Sequence, residues 1–248
     1  MNTTEITYPK WGSLSVARRA SWQVVGGLSN PSKMLGYSFG LHPQDTCTVG
    51  MKLRNVKGST CSGCYALKGS YTQYPDVARA QARRLALLPA SDDINHPDWQ
   101  RWVDAMVHAI PTGSGSNSKY FRWHDAGDVH RAVYGEAIIE VARRRPKTDY
   151  WIPSREAKLW GALKALHTAM GTWPSNLCVR ISASMVNGKA LNVQGLPTSL
   201  VHTDEAQHGA YHCPAPKQGG KCDGRKDGGK FCDACFKPSV KSVSYGIH

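Results

Sequence analysis

The sequence contains no long hydrophobic run, and this absence limits where the protein can reside. A membrane-spanning helix needs about 18 or more consecutive apolar residues, and no stretch of the 248 residues approaches that length. The first residues, MNTTEITYPKWGS, also lack the apolar segment of a secretory signal. We therefore expect a protein without membrane contact that stays in the cytoplasm.

Acidic residues are scarce relative to basic ones. The chain has 18 Asp and Glu against 31 Lys and Arg, which gives a formal net charge of +13 and a pI near 9.5. Such an excess of positive charge is typical of proteins that bind phosphate groups, because Lys and Arg neutralise the phosphate backbone of nucleic acids and release its counterions. The alternative is that the charge serves solubility alone, since the basic residues are spread along the chain. We predict nucleic acid or a nucleotide as the partner.

The eight cysteines are the most informative residues of the chain. Because no secretory signal is evident, a disulfide framework is the less favoured use of them, and metal binding or redox chemistry the more favoured one. Cys178 lies within a predicted strand and is expected to be a buried structural thiol. The other seven form two groups, which are Cys47, Cys61 and Cys64 near the start and Cys213, Cys222, Cys232 and Cys235 at the end.

The first of these groups is one ligand short of a closed metal site. Four thiolates complete a tetrahedral site and make it structural, and four cysteines likewise complete the coordination of an iron–sulfur cluster. A site with three protein ligands keeps one position free for water, substrate or cofactor. We therefore predict a reactive metal centre at the first group. The tail group, set among Gly and Lys, needs a metal to fold and is predicted to hold zinc or a second iron–sulfur cluster.

Hydrophobic periodicity predicts an α/β fold in three parts. Residues 1–60, rich in Gly, Pro, Ser and Thr, are expected to form an irregular N-terminal wrap, followed by an α/β core over 61–205 and a Cys-rich, metal-binding tail over 206–248. Helices alternate with strands in the core, which indicates βαβ units and a parallel sheet. The chain left for them is too short for eight units, so a partial or reduced (β/α) barrel is predicted. The predicted helices begin near Pro75, Asp98, Val133 and Glu156, and the predicted strands cover 119–124, 150–153, 177–181 and 199–202.

Polar side chains gather where the predicted strands end. The carboxyl ends of parallel strands are where α/β proteins bind ligands, and a sharp turn or a close backbone approach is indicated there by Gly127. His124 and the two aspartates nearby could act as acid, base, nucleophile or metal ligand, which makes all three candidate catalytic residues. The alternative is that such residues only cap the helices that follow. Three successive strand ends contribute His124, Asp125, Asp128, Arg155 and Ser182.

Four sequence blocks resemble those of a known family. The blocks CSGCYALKG, FRWHDAGD, VRISAS and SVSY are similar to segments of a phage family described only as gene product 88. The similarity runs from about Lys33 onward. It implies no activity, because none is attached to the family name.

The layout is more distantly similar to that of radical S-adenosylmethionine enzymes. These combine three cysteines near the start, a parallel partial barrel and, in many members, a Cys-rich metal site at the end. The resemblance implies a four-iron cluster on the first cysteine group and S-adenosylmethionine as a cofactor. The spacing differs, because 13 residues separate Cys47 from Cys61, where three are typical of those enzymes.

The same resemblance implies residues for cofactor binding. Gly127 and Asp128 would contact the amino group of S-adenosylmethionine. The strand that carries Arg180 and Ser182 would contact its ribose or carboxylate. Arg155, at the intervening strand end, is grouped with them as a cofactor-binding candidate.

Two other functions fit parts of the sequence. Base transglycosylases of the queuine type, including versions that insert 7-deazaguanine into phage DNA, resemble the chain in a parallel barrel, acidic strand ends and a C-terminal zinc site. Asp125 or Asp128 would then be nucleophile or base, but the first three cysteines would have no role. A third alternative is a nucleic-acid-binding module whose fold is stabilised by zinc. It would explain the net positive charge but not the polar residues at the strand ends. We expect an iron–sulfur enzyme of the radical type that modifies a nucleotide or a nucleic acid base.

Overall fold

The computed structural model describes residues 16–112, 116–203 and 209–247. Their strands form one sheet of seven, in which every neighbouring pair is parallel. The order is β1-β2-β3-β4-β5-β7-β6, so that β1 and β6 lie at its two edges. The strands are β1 (Tyr37–Phe39), β2 (Tyr120–Trp123), β3 (Asp149–Ser154), β4 (Leu177–Ser182), β5 (Thr198–His202), β6 (Tyr211–His212) and β7 (Ser242–Gly246).

The helices of the described residues precede the strands or connect them. In the α/β core, α8 leads from β2 to β3, and α9 leads from β3 to β4. Short 3-10 helices cover Tyr65–Leu67, Ala215–Gln218, Arg225–Asp227 and Ala234–Phe236. The α-helices are α1 (Val16–Val25), α2 (Pro43–Thr46), α3 (Thr48–Arg54), α4 (Ser70–Gln73), α5 (Pro75–Ala86), α6 (Pro97–Ala109), α7 (Ser116–Lys119), α8 (Ala132–Arg144) and α9 (Ala157–Ala169).

The predicted parallel α/β organisation is confirmed. The helices expected near Pro75, Asp98, Val133 and Glu156 correspond to α5, α6, α8 and α9, and the four expected strands correspond to β2, β3, β4 and β5. Proline favours the first turn of a helix because its missing N–H has no partner there in any case. Pro75 and Pro97 occupy that turn of α5 and α6.

The structure differs from the prediction for the N-terminal region. Residues 1–15 lie outside the described part of the chain, but residues 16–60 contain three α-helices and strand β1 instead of an irregular wrap. Strand β1 has only three residues, and its pairing with β2 places it in the sheet. The buried Arg84 of α5 donates to the carbonyl oxygens of Gly27 (2.9 Å) and Gly40 (3.2 Å), on either side of this strand. The strand is therefore fixed by tertiary contacts that local composition does not reveal.

The tail also departs from the prediction, because it contributes to the same sheet. Strand β5, expected to be the last, is followed by β6 and β7, and β7 pairs with β5 along five residues. The tail chain thus returns into the sheet and is not a separate appendage.

The two faces of the sheet are covered by different parts of the chain. Side chains of a strand point alternately to opposite faces. Phe121, Trp123 and Tyr150 pack with the helices in the larger buried cluster. Tyr120 and Trp151, their neighbours in sequence, instead pack against the tail, and the ring of Phe236 lies 4.9 Å and 5.7 Å from their rings. The tail therefore occupies the face opposite the helices.

Two smaller expectations concern the core and the membrane. Cys178 is fully buried, as predicted for a structural thiol. Within the described residues, no helix has the length and apolar character that crossing a membrane requires.

His124 follows β2 and is held inside the protein. Its ring is 2% exposed, its Nε2 lies 3.2 Å from the Tyr134 hydroxyl of α8, and its backbone has a φ of 55°. Burial lowers the pKa of His124 to about 3, and the charges of His130 and Arg122 act in the same direction. An imidazole in this environment is neutral near pH 7, and the catalytic role predicted for His124 stays a prediction.

The buried His124 predicts a specific pH dependence of stability. The His124 imidazole has a pKa of about 6.5 in the unfolded chain and of about 3 in the folded protein. Its neutral form therefore contributes fully to the free energy of unfolding above pH 6.5, and this contribution is lost as the pH falls toward 3. The contribution changes by about 3 kcal/mol between pH 7 and pH 4. The substitution His124→Asn should abolish this pH-dependent contribution, and asparagine tolerates the positive φ at this position. Denaturant unfolding of both proteins at several pH values measures it, and a constant difference between them would contradict the assignment.

Candidate functional site

The three cysteines of the first group come together in the structure. A Cβ atom on Gly50 of α3 would lie 3.8 Å from the Sγ of Cys47 and 3.6 Å from the Sγ of Cys61, so two sulfurs flank one glycine. Burial raises the pKa of Cys47 far above its ordinary value, and the nearby charges of Asp128, Cys64 and Cys61 add to the rise. The three thiols and the Asp128 carboxylate therefore share one neighbourhood.

Contacts from the ends of β2 and β3 fix the position of Cys47. On one side of it, Thr46 Oγ1 accepts a hydrogen bond from the backbone N–H of Asp128 at 3.2 Å. On the other side, the backbone N–H of Val49 donates to Glu156 Oε1 at 2.8 Å. Both partners lie just after strands of the sheet, so Cys47 is held over the carboxyl ends of β2 and β3.

Cys61 is attached in the same way to the ends of β3 and β4. The preceding Thr60 donates through its backbone N–H to the carbonyl of Ser184 (3.0 Å) and through Oγ1 to that of Ala183 (3.0 Å). The Arg155 guanidinium donates to Thr60 Oγ1 and to the Ala183 carbonyl. Burial raises the pKa of Cys61, and the charge and hydrogen bond of Arg155 oppose part of this rise.

Cys64 is followed by a tyrosine that ties it to the end of β2. The Tyr65 hydroxyl donates to the carbonyl of Asp125 at 2.7 Å and accepts from Arg122 at 3.1 Å. Tyr71 of α4 donates to the same carbonyl (3.2 Å) and to Asp125 Oδ2 (3.3 Å). The Oδ1 atom of Asp125 is buried and has no hydrogen-bond partner among the described residues. We call residues 47–74, which carry the three cysteines over the carboxyl edge of the sheet, the cysteine cap.

Asp128 is the most enclosed acid of this region. Its Oδ1 accepts hydrogen bonds from Ser154 Oγ (2.7 Å) and the Val129 N–H (2.8 Å), and its Oδ2 accepts one from the Arg155 N–H (2.7 Å). Burial raises the pKa of Asp128 to about 7, although these three donors act in the opposite direction. The carboxyl group thereby joins the end of β2 to the end of β3 and faces the cysteines.

The remaining strand-end residues predicted as cofactor contacts lie in different environments. Gly127 has a φ of 79°, and a Cβ there would lie 2.6 Å from the Leu41 carbonyl oxygen and 2.7 Å from Thr46 Oγ1. Its role in the structure is this close backbone approach. Ser182 ends β4, and its carbonyl accepts from Arg155 at 3.0 Å. Arg155 and Ser182 therefore border the cysteine cap, whereas Arg180 faces the tail.

The four tail cysteines also lie near one another. Burial raises the pKa of Cys222 to about 11 and that of Cys235 to about 12, and in both cases neighbouring tail cysteines add to the rise. Two tyrosine hydroxyls reach their sulfurs, from Tyr245 to Cys235 at 3.0 Å and from Tyr211 to Cys232 at 3.5 Å. All four thiols are free, and they cluster on the face of the sheet opposite the helices.

Arg180 of β4 is the buried anchor of this tail. Its guanidinium donates to the carbonyl oxygens of Ala234 (2.7 Å), Cys235 (2.9 Å) and Lys237 (2.9 Å), and the side chain is fully buried. None of the carboxylates in the described residues forms an ion pair with it. A buried charge without compensation is costly, so thiolates in the tail would stabilise this arginine.

Arg122 of β2 lies between the two cysteine groups. It donates to Tyr65 in the cysteine cap, and its guanidinium stacks over the ring of Trp151 with a distance of 4.5 Å to the centroid. Its charge also lowers the pKa of Cys222 in the tail, although burial has the larger and opposite effect. The cap and the tail are thus connected through one buried cation on the sheet.

The metal-ligating side chains of the described residues do not form a single-ion site. Among residues 16–112, 116–203 and 209–247, no group of three or more His, Cys, Asp or Glu side chains is disposed to hold a metal ion. The metal sites expected at both cysteine groups therefore stay predictions.

Several residues that build the site were not among the predicted site residues. Thr46 and Tyr65 adjoin cysteines in the sequence, and adjacency to a predicted ligand could have indicated them. Thr60 and Tyr71 give no such signal, because their partners Arg155 and Asp125 are distant in sequence and meet them only in the folded chain.

Comparisons with known proteins yield one match. The sequence model of the family described as Gene product 88 matches residues 14–238. No curated protein and no solved structure matches the chain. The resemblance to this family is thereby confirmed, and the match contains three of the four sequence blocks, whereas SVSY at 242–245 lies beyond it.

The anchoring role of Arg180 predicts a large effect on stability. Arg180→Met keeps much of the side-chain volume but removes the donor of the buried Ala234 and Cys235 carbonyls and of the partly buried Lys237 carbonyl. Each buried acceptor left without its donor costs about 1–3 kcal/mol. We expect a loss of at least about 3 kcal/mol in the free energy of unfolding, measured by denaturant titration. Arg101→Met, on the exposed surface of α6, is the matched control and should change stability by about 0.5 kcal/mol or less. Equal effects of the two substitutions would contradict the proposed anchor.

Proposed function

The chain belongs to the gene product 88 family, and we propose that it is an iron–sulfur enzyme of the radical type that modifies a nucleotide or a nucleic acid base. The proposal includes a location in the cytoplasm of an infected host cell. It also includes curvature of the parallel sheet into a partial barrel whose carboxyl edge faces the cysteine cap.

One observation carries this proposal. Three cysteines from a loop-rich segment are brought together over the carboxyl ends of β2, β3 and β4, where parallel α/β proteins carry out their chemistry. A purely structural staple has no need of this location. The contacts that hold this segment come from Asp128, Glu156 and Ala183 at the strand ends, so the sheet positions the residues beside Cys47 and Cys61.

The donor set fits an iron–sulfur cluster. Iron–sulfur clusters are held by cysteine thiolates, and the three thiols of the cysteine cap share one neighbourhood. Cys47, Cys61 and Cys64 would hold the cluster. When bound, it would leave one iron open for S-adenosylmethionine and supply one-electron chemistry at this edge. The tail cysteines would hold zinc or a second cluster beside Arg180.

Residues around the cap have distinct parts in this proposal. Asp125 Oδ1, buried and without a partner among the described residues, would accept a hydrogen bond from the amino group of the cofactor or from substrate once the end of β2 opens to admit it. Asp128 fits this part less well than the resemblance implies, because its two oxygens already accept three hydrogen bonds. Asp128 and Arg155 would instead keep the cap in position, and Arg155 would place positive charge beside Cys61.

The transglycosylase alternative is less well supported by the same contacts. A nucleophilic carboxylate needs an oxygen that substrate can reach, and Asp128 is only 2% exposed with both oxygens engaged. Asp125 Oδ1 has no hydrogen-bond partner among the described residues but is itself buried, and this function still leaves three converging cysteines without a task. The nucleic-acid-binding module accounts for the charge and not for the buried polar contacts at the strand ends.

Anaerobic purification followed by metal analysis and absorption spectroscopy tests the proposal. The wild-type protein should contain iron and sulfide and show broad visible absorption. Cys61→Ala should lose about four irons per chain, because the first site would then keep only two thiolates, while the tail metal should remain bound.

Cys178→Ala is the matched control, since Cys178 is a buried thiol that belongs to neither group. It should retain both metals. A wild-type protein with zinc as its only metal and without visible absorption would rule out the radical enzyme in favour of the zinc alternatives. Loss of both metals in Cys61→Ala would contradict two independent sites.

A further inference from the structure

The cysteine cap carries a marked excess of positive charge. Between Asp45 and Asp76 the sequence has no Asp or Glu, although it has four basic residues, Lys52, Arg54, Lys57 and Lys68. All four side chains are exposed. None forms an ion pair with another described residue, whereas basic residues elsewhere, such as Arg79, Arg144 and Lys221, do. The cap thus presents cations that the rest of the described chain does not neutralise.

Large apolar and aromatic side chains are exposed among these cations. Tyr65 is 51% and Tyr74 59% exposed, and Val56 is 43% exposed. The ring of Tyr65 packs against that of Tyr71 with 5.8 Å between the centroids, which restrains an otherwise half-exposed side chain. Exposed aromatic rings amid Lys and Arg are the features on which unpaired bases stack while their phosphates are neutralised.

The position of this surface relates it to the proposed reactive centre. Lys52 and Arg54 lie on α3, which begins directly after Cys47, and Lys57 precedes the loop that carries Cys61. Tyr65 adjoins Cys64, and its hydroxyl contacts Asp125. A chain of phosphates that follows the cations would therefore bring a base to the carboxyl edge of the sheet.

We propose that the cysteine cap is the binding surface for single-stranded nucleic acid, which would be the substrate of the enzyme proposed above. The claim that a base of this strand reacts rests on the proposed function, whereas the claim that the cysteine cap binds the strand does not. Dispersed cations suit a polymer of phosphates better than one nucleotide, and exposed tyrosines suit unpaired bases better than a duplex.

Fluorescence anisotropy with a labelled oligothymidylate tests the proposal on the full-length protein. The triple variant Lys52→Glu, Arg54→Glu, Lys57→Glu should bind the strand at least about tenfold more weakly. Its plot of log affinity against log salt should be shallower by about 2, because each phosphate contact of a single strand contributes about 0.7 to the slope. Tyr74→Ala should weaken binding by about tenfold and leave the salt slope unchanged, as loss of one stacked base predicts.

The matched control carries the same charge change on other surfaces. Arg101, Lys147 and Lys241 are exposed, and the latter two lie just before β3 and β7, at the opposite edge of the sheet. Arg101→Glu, Lys147→Glu, Lys241→Glu should bind with nearly the wild-type salt slope. Equal losses in the two triple variants, or tighter binding of duplex DNA, of a nucleoside triphosphate or of anionic lipid vesicles than of the single strand, would overturn the proposal.

Absorption spectra of the same preparations separate this inference from the proposed function. Weaker binding by a cap variant that retains visible absorption supports the binding surface. A wild-type protein without a cluster that still binds the strand through the cap would refute the iron–sulfur enzyme alone. A protein with a cluster whose cap variants bind like the wild type would refute the binding surface alone.

Discussion

The hydrogen bonds between Asp128 and the end of β3 are the contacts on which the candidate site depends. Asp128 accepts from Ser154 and from the backbone of Arg155, and Arg155 in turn reaches the end of β4 and Thr60. Three strand ends and the Cys61 loop are joined in this way by two side chains. Because the carboxyl group is buried, its loss would leave several donors without an acceptor and would release the loop.

Buried cations place a second constraint on the structure. Arg180 is fully enclosed by tail carbonyls, and Arg122 lies between the cap and the tail. Guanidinium groups cannot lose their charge in proteins, so their burial requires negative charge or many acceptors nearby. For Arg180 the carbonyl acceptors already meet this requirement. Metal-bound thiolates, as proposed above, would add negative charge beside Arg180 and Arg122, whereas neutral thiols would not.

The sequence reveals the periodic elements and the strand-end position of the site, because both depend on local patterns. Helices α5, α6, α8 and α9 have apolar spacing that identifies them, and β2, β3 and β4 are apolar runs between turns. Strand β1 has three residues and forms only because β2 and Arg84 hold it. Strand β7 has five residues, and it follows a segment whose composition is typical of loops. His124 and Arg180 show a further limit, since proximity to a strand end does not decide the face toward which a side chain points.

The central claim is that Cys47, Cys61 and Cys64 hold a four-iron cluster with one open iron. Electron paramagnetic resonance of the anaerobically reduced protein, recorded with and without S-adenosylmethionine, tests it most directly. A cluster signal that changes on addition of the cofactor, and that is absent from Cys61→Ala, is the expected result. A spectrum without a signal assignable to this group, or one that S-adenosylmethionine leaves unchanged, would contradict the claim.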